Sequence, residues 1–203
     1  MESTTVGDHK RRPGGRTADV TERVREAVLE LIVEGGYAAC TFSSVAARAG
    51  VERSTLYRRF PDRWATIIDA FMARSALEIM PDTTGSFAGD LKSVLRKLAA
   101  TLDGPLGPAL MAAAAELRAR QEADYPRAYF DQRVAQLKPM FDAAVERGEL
   151  AADVERETLF SFAAGPIYFR MFIAGRAVDL AFIDTVVESV CWLYCGSGAT
   201  ERG

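Results

Sequence analysis

The chain reads as all-α. Apolar residues recur at three- and four-residue spacing from residue 19 to residue 195, no stretch keeps strand-like alternation, and glycine or proline punctuates each change of segment. About nine helices are expected: a three-helix helix-turn-helix head at the N-terminus, then a larger helical remainder.

Asp19 with Glu22 reads as a capping box that opens the first helix. Val24, Ala27, Val28, Leu31 and Ile32 form its buried stripe, and Gly35-Gly36 ends it. Before it, residues 1–18 carry Lys10-Arg11-Arg12 and Arg16 among Pro13, Gly14 and Gly15. This is expected to be a disordered basic arm, either a solubilising tail or a contact to the phosphate backbone or minor groove of DNA.

Residues 41–63 hold two short helices around a glycine. With Thr41 as cap, Phe42, Val45, Ala46 and Ala49 share one inward stripe, while Ser43 and Ser44 point away. Gly50 supplies the left-handed turn. In the second helix Leu56 and Phe60 lie about 40° apart and anchor it, leaving Ser54, Thr55 and Arg58 opposite them with Tyr57 and Arg59 at the flanks. Pro61 stops the helix and Asp62 caps the next. A merely solvated face would mix Glu with Lys, whereas Glu52 and Asp62 are the only acids here. The pattern fits a helix-turn-helix that places its second helix in a DNA major groove. Ser43, Ser54, Thr55 and Arg58 are assigned to base edges and Thr41, Tyr57, Arg59 and Arg63 to phosphates, with Ser44 and Arg53 completing the face. The alternative is a helical small-molecule-binding or interaction module without DNA binding.

A fourth helix over 62–80 turns Ile67, Ile68, Phe71 and Met72 inward, and residues 81–85 form a joint. Residues 87–103 carry Leu91, Val94, Leu95, Leu98 and Leu102 on one side. Residues 104–107 break the pattern, a helix runs through Met111 and Leu117 to about residue 121, and a long one covers 126–147 before Gly148. Two final helices span 155–174 and 180–195. Pro166 is expected to kink the first near Gly165. The second is apolar around more than half its circumference, so it needs cover on two sides, from its own core or from a second subunit.

Residues 19–68 resemble the DNA-binding domain of tetracycline-repressor-like (TetR) transcriptional regulators. The residues that carry the likeness are Gly36-Tyr37, Thr41, Val45-Ala46, Ala49-Gly50-Val51, Thr55-Leu56-Tyr57-Arg58-Arg59-Phe60 and Arg63. Arg63 stands where the family usually has Lys, Thr66 where it usually has Leu, and Arg58-Arg59 is more basic than in many members. More loosely, Arg147-Gly148-Glu149 and Gly165-Pro166-Ile167-Tyr168 fit a subgroup pattern. The resemblance implies a DNA-binding domain over 19–66 and an effector-binding and dimerisation domain over 67–203. It implies a homodimer formed through Phe162, Pro166, Ile173, Phe182, Val186, Val187, Val190 and Leu193. A two-fold dimer reads two half-sites, so the double-stranded DNA operator should be near-palindromic. An apolar pocket for a small-molecule effector, neutral or lipophilic, is expected from Met111, Tyr125, Tyr129, Phe130, Phe141 and Phe169. Repression is the family's usual mode.

Charge agrees when it is read locally. The chain carries a net −3, but residues 37–64 hold five arginines against two acids. Three cysteines (Cys40, Cys191, Cys195) suit a reducing compartment, and the one histidine, His9, falls in the arm. No zinc-like spacing, phosphate loop or nucleophile motif occurs, so neither metal, cofactor nor enzymatic activity is expected. No apolar run approaches the ~20 residues of a membrane span, and the chain is expected to be cytoplasmic.

Overall fold

The computed structural model describes residues 13–120 and 124–195, with the side chains of residues 13–17 and of residue 125 outside that description. Ten α-helices follow one another among the described residues: α1 Pro13–Gly35, α2 Phe42–Ala49, α3 Arg53–Arg59, α4 Arg63–Glu78, α5 Phe87–Asp103, α6 Leu106–Ala119, α7 Asp124–Gln136, α8 Lys138–Glu146, α9 Arg156–Tyr168 and α10 Leu180–Tyr194. A one-turn 3-10 helix, Tyr37–Ala39, lies between α1 and α2, and a π turn, Phe169–Ile173, continues α9. Among the described residues no helix is long and apolar enough to cross a membrane.

Helix α1 buries the expected stripe of Val24, Ala27, Val28, Leu31 and Ile32. It begins upstream of Asp19, at Pro13, because a proline in the first turn loses only an amide that has no helical acceptor anyway. Asp19 therefore does not cap the helix; it pairs with Arg23 one turn on, at 3.5 Å. The helical residues 13–18 had been expected in the disordered arm. Lys10-Arg11-Arg12, His9 and the Arg16 side chain lie outside the description.

Two hydrophobic cores result. The first gathers α1, α2, Leu56 of α3, and Trp64, Ile67, Ala70 and Phe71 of α4, and it also takes in Ala113 and Leu117 from α6. The second packs Phe87 to Leu102 of α5 against Leu137, Phe141, Leu159, Ile167 and the stripe Ile183, Val186, Val187 and Val190 of α10. Residues 81–85 between them are held in place. The Thr84 amide and hydroxyl both donate to Asp90 Oδ1 at 2.7 Å, and the Asp82 amide donates to Ser93 Oγ at 3.0 Å. The Arg147-Gly148-Glu149 turn gains a structural purpose, since Glu149 Oε2 accepts the Phe87 amide at 2.7 Å, a carboxylate at the positive end of α5. At Gly107, α6 approaches α5 so closely that a Cβ would lie 1.9 Å from the Leu102 carbonyl oxygen.

One long helix differs from expectation. The segment 126–147 is two helices divided at Leu137: Pro139 has no amide for the Ala135 carbonyl, and the chain tightens so that the Leu137 amide bonds Val134 O at 3.1 Å. Helix α9 runs through Pro166, and the π turn that follows it has the Ala174 amide bonding Phe169 O at 2.9 Å. Phe162, whose carbonyl lacks a donor because of Pro166, is half exposed, so water can serve it.

Candidate nucleic-acid interface

The reading surface is built from its caps upward. Thr41 Oγ1 accepts the Ser44 amide at 3.1 Å, and Ser44 Oγ accepts the Thr41 amide at 3.0 Å, which closes a reciprocal cap on α2. Ser44 Oγ also donates to the Ala39 carbonyl. Its hydroxyl is thus committed to positioning α2, which corrects the expectation that it faces DNA. Ser43 is exposed, as is Thr41. Gly50 ends α2 at φ +63°, and its amide donates to Ala46 O and Ala47 O. From α1, Arg23 Nη1 reaches across to donate to the Ala49 carbonyl at 3.0 Å, which ties the turn to the head's longest helix.

Helix α3 is seated by Leu56, which is fully buried, while Phe60 is half-buried at its C-cap. Arg53, Ser54, Tyr57, Arg58 and Arg59 are all exposed, and Thr55 is half-buried. Tyr57 stands edge-on to Phe42 with ring centroids 4.7 Å apart, and the Arg53 guanidinium lies 5.9 Å from the Tyr57 centroid. Ser54 Oγ donates to Glu52 Oε2 at 3.2 Å. Arg59 Nη2 donates to Thr21 Oγ1 of α1 at 2.5 Å. Arg63 is engaged differently from expectation: it lies over Trp64, 4.7 Å from the ring, and 3.7 Å from Glu116 of α6. Glu116 also accepts from the Tyr37 hydroxyl. Thr66, which stands where the family usually has Leu, is buried and satisfied, its hydroxyl donating to Asp62 O at 3.2 Å.

Behind this head a cavity of about 160 Å³ opens between α4, α6 and α7, lined almost wholly by apolar groups that include Trp64, Phe71, Met111, Leu117, Phe130 and Tyr168. Met111, Tyr129 and Phe130 of the expected pocket set are there. Phe141 is not: it is fully buried in the second core, 6.2 Å from Phe87. Phe169 is not either, because it points outward from the π turn and is 61% exposed. The Tyr125 side chain lies outside the description. Trp64, Phe71 and Tyr168 were missed. In sequence, α4 shows one broad apolar face, and only packing divides that face between a core and a cavity.

Residues 24–65 match the family described as bacterial regulatory proteins, tetR family, and residues 80–190 match the tetracyclin repressor-like C-terminal domain. The chain belongs to the TetR family of transcriptional regulators. Its relatives include an uncharacterised HTH-type transcriptional regulator, YdeS of Bacillus subtilis, 26% identical over 88% of this chain and 91% of its own length. The DNA-binding transcriptional repressor TetR of Mycobacteroides abscessus is 29% identical, over 84% of this chain and 91% of its own. In three dimensions the chain is similar to the TetR family transcription regulator SCO0332, with a TM-score of 0.73 and 28% identity over 87% of this chain and 99% of that one.

The TetR-type C-terminal helices carry the chain's main outward apolar surface. Ile173 is 72% exposed and Trp192 83%, and Phe162, Phe169, Leu180 and Leu193 are each more than half exposed. Of the expected dimer residues, Phe162, Ile173 and Leu193 belong to this surface, while Pro166 and Phe182 are half-buried beside it. Val186, Val187 and Val190 do not: they are buried in the chain's own core, where no second subunit can reach them. Helical arithmetic separates the two faces, since Trp192 lies about 180° around α10 from Ile183. Cys40 is a structural thiol that donates to Val28 O at 3.5 Å, and burial pushes its pKa up to about 11.

Substituting Gly50 by Ala tests the turn. An added Cβ meets nothing closer than the Arg23 guanidinium at 3.6 Å, so the cost is backbone strain alone, about 1–2 kcal/mol. The melting temperature should fall by about 2–4 °C per kcal/mol. Calorimetric unfolding checks this, and an unchanged melting temperature would show the left-handed turn to be dispensable.

Proposed function

We propose that the chain is a repressor that binds a near-palindromic operator as a homodimer, with α3 of each subunit in the major groove, and that a small molecule in the α4/α6/α7 cavity releases it. One observation carries the DNA reading. Leu56 is locked into the head's core, and so Ser54 and Arg58, each about 160° around the helix from it, must face outward. Arg58 is suited to a guanine edge, Arg53, Tyr57 and Arg59 to the flanking phosphates. The M. abscessus relative is a DNA-binding transcriptional repressor, which supports that sign of regulation. The division into a DNA-binding unit over 19–66 and an effector and dimerisation unit over 67–203, in a cytoplasmic protein without catalytic activity, completes the reading.

Arg63 and Glu116 supply the link between the two units. In the DNA-bound form Arg63 turns to a phosphate, and in the released form Glu116 holds it. Glu116 sits on α6, whose neighbouring residues line the cavity, so a ligand that shifts α6 changes the pairing and the spacing of the two heads. A ligand preferring the released form 100-fold supplies ~2.7 kcal/mol of coupling, enough to empty a modestly occupied operator.

Selection of bound duplexes from a random pool tests the core of the proposal: two inverted half-sites are expected, and a single unpaired motif would refute the dimeric reading. Arg58→Ala should cost about 1–3 kcal/mol for each half-site of the selected operator and relax preference at one position per half-site, as competition with single-base variants will report. Glu116→Ala should free Arg63 and raise affinity for every duplex, whereas Arg63→Ala should lower it for every duplex and flatten the dependence of log K on log salt by about two units, one for each subunit. An unchanged slope in Arg63→Ala would mean Arg63 never reaches a phosphate. Trp192→Glu places a charge in the outward apolar face and should convert the dimer to monomer by light scattering; a dimer of unchanged stability would move the interface elsewhere.

A further inference from the structure

Behind the two tyrosines of this almost wholly apolar cavity stands a buried charge, Arg133, which does not itself line the cavity and which an uncharged ligand leaves without use. Tyr129 and Arg133 stand one helical turn apart on α7, and Tyr129 lines the cavity. The Tyr129 and Ser75 hydroxyls share a hydrogen bond at 3.1 Å. Arg133 is only 3% exposed. Its Nη2 donates to the Ile79 carbonyl at 2.5 Å, at the C-terminal end of α4, and its Nη1 donates to Gln136 Oε1 at 3.1 Å. Its Nε is buried with no partner, and among the described residues no carboxylate pairs with the guanidinium. Tyr168 lines the same cavity, and the Arg133 charge lies within electrostatic reach of both tyrosine hydroxyls.

Burial pushes the Arg133 pKa down, but a guanidinium does not surrender its proton in a protein. The charge therefore persists in a low-dielectric site with one neutral carbonyl and one neutral amide for company. A buried charge held without a counter-charge is a standing cost of the fold. Arg133 has donor capacity left over, a planar fork suited to a carboxylate, and two hydroxyls beside it that line an apolar chamber. The chamber's ≈160 Å³ is close to the ~150 Å³ of an engineered cavity that holds benzene, so it admits one ring with a short chain.

We infer that the effector is a small aromatic carboxylic acid, its ring between α4, α6 and α7 and its carboxylate received by Arg133 with the Tyr129 and Tyr168 hydroxyls alongside. This rests on the cavity being the effector chamber, and it replaces the neutral ligand expected from the sequence. The arriving carboxylate competes with the Ile79 carbonyl for Arg133, so binding loosens the anchor at the end of α4, the helix that begins beside the DNA-reading element.

The test is a matched pair of probes, 3-phenylpropanoate and 3-phenylpropanamide, titrated calorimetrically into the full-length protein without DNA. The two share shape and differ in charge. The acid should bind at least about tenfold more tightly than the amide. In Arg133→Met that preference should vanish while the amide binds as before, and Arg133→Lys should restore part of it. Equal binding of acid and amide to the unaltered protein overturns the charge inference alone and leaves the chamber standing. Binding of neither overturns both. A preference that survives Arg133→Met would move the anion elsewhere. The probe pair decides on the unaltered protein, so the inference stays testable even where the methionine variant does not fold.

Discussion

Ala113 and Leu117 lie on α6, yet both are buried in the core of the head, in one cluster with Val28, Leu31, Ile32 and Trp64. The rest of the molecule depends on that intrusion. Interiors packed at crystal-like density transmit displacement and do not absorb it, so the head cannot keep its position if α6 moves. The same helix lines the cavity with Met111 and Ala114 and reaches Tyr37 and Arg63 through Glu116. Small side chains at 112–115 allow the close approach on both sides, and Gly107 lets α6 start directly against the end of α5. The head and the chamber therefore share a wall, and the family's separation into two units is a division of sequence more than of packing.

The head's arginines sort by the same logic. Arg23 is bonded to the turn before α3, Arg25 forms a bidentate pair with Asp69 across α1 and α4 at 2.8 and 3.1 Å, and Arg48 is held by Glu30 and Glu34 of α1. These partly exposed pairs add little stability each. Their effect is positional and electrostatic: they fix the frame and cancel charge away from α3. Arg53, Arg58 and Arg59 of α3 remain exposed, as do Ser43 and Ser54. The local excess of positive charge, diluted in a chain of net −3, is thus concentrated on one short helix.

Features of the sequence that act locally were legible. The Thr41 cap, the Gly50 turn, the Leu56 anchor and the Asp62 cap each depend on neighbours within a few residues, and each is where its residue type implies. What failed were decisions made by tertiary packing. Helix α10 is apolar nearly all round, so its valines read equally well as core or as interface; burial assigned Val186, Val187 and Val190 to the core and left Trp192 outside. Phe141 and Phe169 are as aromatic as Phe130, but only Phe130 faces the cavity. The division at Leu137 was available from Pro139, whose missing amide a purely periodic reading overlooks. Ser44 misled because an exposed hydroxyl beside a DNA-reading helix can equally well serve as the cap that holds α2 in place.

Buried polar groups and exposed apolar patches are the informative exceptions in a folded chain, because the reverse arrangement costs nothing and signals nothing. Beside the arginines facing outward on α3, two such exceptions stand out among the described residues: an apolar face at 162–193 turned to solvent, and Arg133 interior without a counter-charge. None helps the isolated subunit fold, and the last two oppose it. Under the proposed function and the inference about Arg133, each has a complement of definite chemistry: a polyphosphate groove, a second copy of the same apolar face, and an organic anion. Helices join these places, α4 between the first and third, α9 between the second and third through Tyr168. On that proposal a single subunit is incomplete at three sites, and because they share helices, satisfying one alters the cost of satisfying the next, which is the physical content of a switch.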